Sequence, residues 1–355
     1  MCWMLEIAEP PVKGNLTSEK LQIIAGGYCA FQLLWAGISL GLYNLLSKSP
    51  GIGLSTIAKQ LHLEEKPARI LMSGLVSLGL IESREGKYWN SGPVEDQLVD
   101  DKPQSIAPLF EWHARINYPA LADFVSSLKE NRNVGLRHFE GNGKTLYERL
   151  SSDPDLEEVF QRAMSTLSSK TNPALLKAFD FKKFTHILDV GGGDGTNAAT
   201  LVKAYPHLKA TVFDIPSVCK RAESKIKALG LDAKIHTHAG NFLTDPFPAT
   251  ADAILFNHIM PIWSESRNRE LLRKSFSALK EGGAVLIFNM MSSDDESGPL
   301  TPSFGSLYFL TIATGEGMLY PWADYESWLH EAGFKKILRF GDMPLDHGLL
   351  VGIKG

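Results

Sequence analysis

The chain has 355 residues, so it can bury a large core and is longer than most single domains. Its net charge of -4 at pH 7 argues against a nucleic-acid partner, because proteins that bind the phosphate backbone carry clustered lysine and arginine. Its three cysteines lie far apart and form neither a disulfide framework nor a CxxC metal motif, which favours a reducing, cytoplasmic setting.

The N-terminal segment does not have the pattern of a secretory signal, since Glu6 and Glu9 stand early and no basic start leads into an apolar run. Residues 21–47 contain no charged residue and are long enough to span a bilayer. Glycine and polar residues interrupt their apolar positions, however. A buried helix pair in a domain core or dimer interface explains the same composition, so we expect no membrane partner.

From Gly53 onward the chain has the pattern of a small helical domain with a hairpin. Apolar residues at helical spacing predict helices around residues 54–61 and 68–78, and two short alternating segments, 80–83 and 87–89, predict a hairpin. The second helix offers only Lys66 and Arg69 as cations, which is poor for DNA binding. We therefore predict that residues 1–104 form a mostly α-helical winged-helix domain through which two copies of the chain form a homodimer.

Residues 105–180 mix aromatic and polar side chains and are predicted to form connecting helices. Any one of these side chains either fills a core or lines a pocket. We predict a helical linker that contributes to the substrate pocket.

From residue 185 onward, apolar segments of strand length alternate with helical segments. The strands are predicted at residues 187–190, 210–213, 253–257 and 284–288, with helices such as 197–204 and 267–279 between them. This alternation predicts an α/β fold for residues 181–355, a Rossmann-like, doubly wound parallel sheet. A last strand at 348–354 follows a helix at 323–332 and can pair antiparallel.

The first of these strands runs into a glycine-rich turn, Gly191-Gly192-Gly193-Asp194-Gly195, and then into a helix. Asp214 ends the next strand, where a carboxylate can accept hydrogen bonds from both hydroxyls of a ribose; the alternative is that it caps the following helix. Asp194 would repel a pyrophosphate at the helix N-terminus, which disfavours a dinucleotide. Asn241 and Phe242 after the third strand can bond and stack adenine. S-adenosylmethionine fits these features.

Several ordered motifs make the chain resemble the S-adenosylmethionine-dependent small-molecule O-methyltransferases of the caffeic acid and acetylserotonin type. Besides the glycine turn they are Asp214-Ile215-Pro216, Gly240-Asn241-Phe242, Ala332-Gly333-Phe334 and Phe160-Gln161-Arg162-Ala163-Met164-Ser165. The resemblance covers nearly the whole chain and implies S-adenosylmethionine as cofactor and a small molecule as substrate. We accordingly expect cofactor contacts at Asp189, Gly191, Gly193, Asp194, Asp214, Ile215, Asn241, Phe242, Asn257 and Trp263.

The chain departs from the family where the catalytic base should stand. The family has Leu-His-Asp-Trp-Ser where this chain has Met260-Pro261-Ile262-Trp263-Ser264, and the glutamates that orient the histidine fall at Asn289 and Leu319. A general base accelerates methyl transfer to a hydroxyl by roughly a hundredfold or more. A sulfur, a carbon or an already acidic oxygen needs less help, so we expect one of these acceptors.

Two histidines are candidate replacement bases: His258, three residues before the lost position, and His113. We expect no metal. An alternative function is an enzyme of the same fold that binds S-adenosylmethionine and catalyses a rearrangement or cyclisation without methyl transfer; a winged-helix regulator that senses the cofactor is a third. The fold analogy places in the substrate pocket Trp112, Phe160, Met164, Met260, Phe304 and Tyr308.

Overall fold

A computed structural model of the chain describes residues 16–248 and 250–355. The chain divides into two compact units, Met1–Ala107 and Pro108–Gly355. The first unit contains six helices and a three-stranded sheet of order β1-β3-β2 within its described part. Its elements in chain order are α1 Ser18–Ala25, α2 Gly27–Ser39, α3 Leu42–Lys48, β1 Ile52–Gly53, α4 Leu54–Gln60, α5 Glu65–Ser77, β2 Ile81–Arg84, β3 Lys87–Asn90 and α6 Gly92–Gln97.

The uncharged segment at 21–47 forms three helices rather than one buried pair. Gly26 separates α1 from α2, and Gly41 has φ 70° before α3. Of the two predicted places for this segment, a domain core or a dimer interface, the core is excluded for α1, which buries no residue within one chain, whereas α3 buries Leu42, Tyr43 and Leu46. Among the described residues no single helix has the length and composition to cross a membrane, although α1 and α2, bent by 53°, pass that test as a pair.

The second unit is built on ten helices in its described part, which alternate with strands in its C-terminal two thirds. They are α7 Ala107–Trp112, α8 Tyr118–Ala120, α9 Phe124–Glu130, α10 Leu146–Leu150, α11 Pro154–Ala178, α12 Thr196–Ala204, α13 Pro216–Ala228, α14 Glu265–Ala278, α15 Leu300–Tyr308 and α16 Trp322–Ala332. Two π-helical turns, His113–Asn117 and Phe309–Ala313, extend α7 and α15. Met260–Ile262 is one of several 3-10 turns in this unit.

Helix α11 is the longest element of this unit and has a clear start signal. Asp153 accepts the backbone N–H of Leu156 at 3.1 Å, and Pro154 occupies the first helical position, where a missing N–H costs nothing. The helix packs on α12 beside the sheet. It therefore carries residues from the linker region to the edge of the sheet where the strands end.

The sheet has seven strands in the order β6-β5-β4-β7-β8-β10-β9, which confirms the predicted α/β architecture. Strands β4 to β8 are parallel, and β10 runs antiparallel to both β8 and β9, so the sheet is mixed. The chain moves outward from β4 to β6 and returns to β7 on the other side of β4, which makes the ends of β4 and β7 the switch point where such sheets bind ligands. The strands are β4 His186–Val190, β5 Lys209–Asp214, β6 Ile235–Ala239, β7 Ala253–Asn257, β8 Ala284–Met290, β9 Lys336–Met343 and β10 His347–Ile353.

Both faces of the sheet are covered by apolar side chains, as expected for a doubly wound fold. Met260 belongs to the cluster on the α14 and α16 face, and Phe288 belongs to the cluster on the α11 and α12 face. Strand β9 was not predicted, because it is an edge strand with charged and partly exposed positions rather than an apolar run.

Candidate active site

The glycine turn after β4 takes backbone conformations that side chains rarely adopt. Gly191 has φ 65° and Gly193 has φ 58°. A Cβ atom on Gly191 would stand 2.3 Å from Cδ1 of Ile259, so the close approach of the turn to the segment after β7 also requires glycine. The turn thus leaves its backbone accessible to a ligand at the switch point.

Asp214 at the end of β5 is fixed against this turn. Its Oδ2 accepts the N–H of Gly193 at 2.9 Å, and its Oδ1 accepts the N–H of Ile215 at 2.8 Å. Burial raises the pKa of this carboxyl to about 6, opposed by those two hydrogen bonds. Each carboxylate oxygen keeps a further lone pair, which is what a pair of ribose hydroxyls would need.

Asp189 is fully buried in β4, directly beneath the turn. Neither of its carboxylate oxygens forms a hydrogen bond of full geometry among the described residues, although the Asn197 side chain and the Ala198 N–H lie close to it. Burial, and then the charge of Asp214, raise the pKa of Asp189 to about 7, which these two weak donors oppose. A weakly paired carboxyl at this place suits a ligand that brings a cationic group.

Asp194 is held by α13 rather than left free. Its Oδ2 accepts from Nζ of Lys225 at 2.7 Å, and its Oδ1 accepts from Oγ1 of Thr196 at 2.6 Å. An open cleft of about 800 Å³ lies beside this pair, lined in part by Gln161 and Ser165. The Asp194 carboxylate is therefore held by α12 and α13. The sequence pattern had not indicated Lys225 as a residue of the site.

Asn241 and Phe242 follow β6 as predicted. The Asn241 side chain forms a local turn, because its Oδ1 accepts the N–H of Leu243 at 3.0 Å. The ring of Phe242 lies edge-on to Trp263, with centroids 6.2 Å apart. The sheet thus brings two of the predicted aromatic contacts together at one edge.

Asn257 ends β7 and joins a chain of buried amides. Its Nδ2 donates to Oδ1 of Asn172 at 3.4 Å, and Nδ2 of Asn172 donates to Oδ1 of Asn197 at 3.1 Å. This chain links β7 to α11 and α12. Sequence reasoning missed Asn172, whose polar side chain lies in the middle of a long helix.

Pro261, at the position of the lost base, has no titratable side chain. Pro261 lies in the buried 3-10 turn, whose Met260 carbonyl accepts from Nδ2 of Asn268 at 2.8 Å. Asn289 and Leu319 are both buried. The residues that replace the family's base and its two partners therefore offer no proton acceptor of ordinary strength.

His258 directly follows β7 with the left-handed φ of 61°. Its Nε2 lies 2.7 Å from Nε2 of His347, at the start of β10. Burial, and then the neighbouring His347, hold the pKa of His258 well below its usual value. The imidazole is therefore neutral at pH 7.

His113 lies in the first π-helical turn. Its Nδ1 is 3.0 Å from the side-chain amide of Asn117, which can only donate there, and burial lowers the pKa of His113 to about 4. The ring contacts Trp112, with centroids 4.7 Å apart. π-helical turns are frequent at functional sites, and this one carries His113, one of the two candidate bases.

The structure brings three of the six predicted substrate residues, Trp112, Phe160 and Tyr308, into one aromatic cluster. Trp112 packs edge-on to Tyr308 at 5.2 Å, and Phe160 packs edge-on to Tyr147 at 5.7 Å. Tyr147, which the sequence had not indicated, also packs against the cluster that contains Met260. Met164 lies one turn after Phe160 on α11, whereas Phe304 is 65% exposed and stands apart.

A metal site is not formed by the described residues: in 16–248 and 250–355 no three His, Cys, Asp or Glu side chains are grouped so that they could hold an ion.

Comparison with known proteins places this arrangement in a family. A model of the O-methyltransferase domain matches residues 118–335. The L-tyrosine C(3)-methyltransferase of Streptomyces lavendulae is 35% identical over 348 residues, which cover 97% of this chain and 95% of that protein. The apo structure of the S-adenosylmethionine-dependent methyltransferase SibL is 39% identical, with a TM-score of 0.79 over 94% of this chain and 98% of that one. Human N-acetylserotonin methyltransferase in complex with S-adenosylmethionine is 26% identical, with a TM-score of 0.86 over 98% and 100%.

Proposed function

The chain belongs to the O-methyltransferase family, and we propose that it methylates a ring carbon next to the hydroxyl of a phenolic small molecule. That it is a methyltransferase dependent on S-adenosylmethionine and acting on small-molecule metabolites follows from its family. The choice between carbon and oxygen is the part proposed.

The observation that carries the choice is Pro261 in its buried turn. Transfer to a phenolic oxygen gains most from a strong base at that position, and proline cannot supply one. A ring carbon beside a hydroxyl is already electron-rich, so correct placement against the methyl group accounts for more of the rate. The L-tyrosine C(3)-methyltransferase of Streptomyces lavendulae, named for transfer to carbon, is similar to this chain along nearly its whole length.

The residues at the strand ends fit the cofactor. Asp214 would hold the ribose, the turn from Gly191 to Gly193 would lie against the amino-acid end, and Asp189 would face its positive charge. When bound, S-adenosylmethionine supplies an electrophilic methyl group, which the acceptor carbon takes as the methyl–sulfur bond breaks and S-adenosylhomocysteine is released. A flat acceptor ring would pack beside the aromatic cluster of Trp112, Tyr147 and Tyr308, which are in contact with one another.

The test is transfer of a 13C-labelled methyl group to a panel of acceptors: L-tyrosine, an analogue with methyl groups on both carbons beside the hydroxyl, a 2-oxo acid and a thioether. We expect a ring-methyl carbon signal with L-tyrosine and no product with the blocked analogue. A methoxy signal would contradict the proposal, and label on the oxo acid or thioether alone would replace it. If an acceptor is converted to a product while S-adenosylmethionine keeps its methyl group, the enzyme catalyses the alternative reaction, a rearrangement or cyclisation.

We also propose that two copies of the chain associate through the first unit. In α1, Ile23 is 72% exposed and Ile24 is 69% exposed, and Leu21 and Leu16 beside them are also exposed. Several large apolar side chains exposed on and next to one short helix are costly in water. A second copy presenting the same helix is the occupant we propose.

A further inference from the structure

His258 and His347 form an imidazole pair at the edge of the sheet where the parallel strands end. The two Nε2 atoms are 2.7 Å apart, and the rings stand nearly perpendicular, at 86°. Phe288 of β8 packs against both rings. The pair thus joins β7 to β10 across the strand between them.

The hydrogen bonds of His347 fix where the protons are. Its Nδ1 lies 3.1 Å from the carbonyl oxygen of Pro344 and 3.0 Å from that of Leu345. Carbonyl oxygens only accept, so Nδ1 of His347 carries the hydrogen. Burial lowers the pKa of His347 to about 4, so the ring is neutral and its Nε2 has a lone pair.

It follows that His258 is the donor within the pair. Its Nε2–H donates to Nε2 of His347, which leaves the lone pair of His258 on Nδ1. Nδ1 of His258 has no hydrogen-bond partner in residues 16–248 and 250–355, and the side chain is only partly buried. The one unused lone pair of the two rings therefore lies on the residue that follows β7.

The backbone around the pair is held in an unfavourable conformation at three non-glycine residues. His258, Leu345 and Asp346 have φ of 61°, 57° and 53°. Such left-handed conformations are unfavourable for residues with side chains and cluster at functional sites. Here they stand on both sides of the hydrogen bond between the imidazoles, which argues that the pair is more than core packing.

We propose that His258 accepts, on Nδ1, the proton that the methyl acceptor loses, and that His347 takes up the resulting positive charge. The inference rests on the proposed function. The ring C–H bond at the newly methylated carbon breaks as the Nδ1–H bond of His258 forms, which restores the aromatic ring, and the Nε2–H proton of His258 passes to Nε2 of His347. His258 ends neutral in its other tautomer, and His347 ends as an imidazolium that later releases its proton to water.

The surroundings of His347 suit this role better than those of His258. The carbonyls of Pro344 and Leu345 accept from the imidazolium, and Asp346 is the charged neighbour that favours its protonation. His258 has instead the apolar ring of Phe288 and the second imidazole. The proposal makes His258 the residue that meets the acceptor and His347 a positioning residue that takes up the charge.

The first arm of the test is 15N NMR of the histidines in the resting enzyme, which needs no substrate. We expect hydrogen on Nδ1 of His347 and on Nε2 of His258. The opposite tautomer on either ring would overturn the relay and leave the proposed methyl transfer standing.

The second arm compares His347→Gln and His258→Gln with His330→Gln, an exposed control on α16. Glutamine can keep the hydrogen bonds of His347 but cannot carry the charge. We expect unchanged S-adenosylmethionine affinity, a kcat at least about tenfold lower for the first two variants, and a proton inventory in mixed H2O and D2O that changes from curved in the parent to linear in His347→Gln. A His347→Gln enzyme with parent kcat and a curved inventory would refute the relay, whereas a parent enzyme that methylates no phenolic acceptor would refute the proposed function.

Discussion

The ammonium group of Lys225 lies 2.7 Å from Oδ2 of Asp194 and thereby ties the glycine turn to α13. The same group donates to Oγ1 of Thr196 at 2.6 Å and to Oγ of Ser165 at 3.1 Å. One side chain thus joins the turn, α12 and α11. A turn that is already fixed in its binding conformation loses less entropy when the cofactor binds.

Lys225→Met is therefore expected to weaken S-adenosylmethionine binding. Because the ion pair is partly exposed, the effect is about 1 kcal/mol, or roughly fivefold in Kd, measured by calorimetry. Lys227→Met, an exposed lysine on the same helix, is the matched control. Equal affinities of the two variants for S-adenosylmethionine would show that the ion pair between Lys225 and Asp194 does not support the site.

Asp214→Ala is expected to weaken cofactor binding more strongly. The variant leaves the N–H groups of Gly193 and Ile215 without their acceptor and removes the proposed ribose contact. Hydrogen bonds to a charged group contribute about 1.5–3 kcal/mol, so Kd should rise about tenfold to a hundredfold. Asp232→Ala, at an exposed position, should bind as the parent does, and an unaffected Asp214→Ala would mean that the site is misplaced.

Asp189 should make the stability of the cofactor-free protein depend on pH. Since its folded pKa is raised from 3.8 to about 7, folding favours the protonated carboxyl. Its stabilising contribution is complete below about pH 4 and is lost as the pH rises through about 7. Asp189→Asn keeps the shape of the side chain without the charge. Between those pH limits the free energy of unfolding of the parent should fall by up to about 4 kcal/mol more than that of Asp189→Asn.

The measurement is urea unfolding of both proteins at about pH 5 and about pH 8. Parallel stability curves for parent and Asp189→Asn across this range would contradict a raised pKa.

Ile23→Glu combined with Ile24→Glu should convert a dimer into a monomer. The two side chains lie on the exposed apolar surface of α1, where a carboxylate facing a second copy would be buried without a partner. Sedimentation velocity of the double variant beside Lys20→Glu, on the same helix, measures the change. A parent protein that sediments as a monomer would refute association through α1.

The local features of the site could be predicted from the sequence because each is written in neighbouring residues. The glycine turn follows an apolar strand, Asp214 ends the next one and Asn241 comes two residues after β6, and parallel strands bring their ends to one edge. The four apolar strands were predicted because a strand is likewise marked by a short run of neighbouring residues. That Pro261 replaces the catalytic histidine was predicted from the family resemblance.

What could not be predicted depends on residues far apart in the chain. His347 meets His258 across 89 residues, and Lys225 meets Asp194 across 31. The spacing of apolar residues along the chain does not indicate which distant polar side chains will meet. The exposure of Phe304 likewise follows from how α15 packs, which an ungapped analogy with the family does not provide.

Transfer to a ring carbon is tested most directly with ring-deuterated L-tyrosine and unlabelled S-adenosylmethionine, followed by mass spectrometry of the product. Transfer to carbon must replace a ring deuterium, so we predict a methylated product that has lost one deuterium for each methyl gained. A methylated product that keeps every ring deuterium would show transfer to the oxygen or the amine and would contradict the claim.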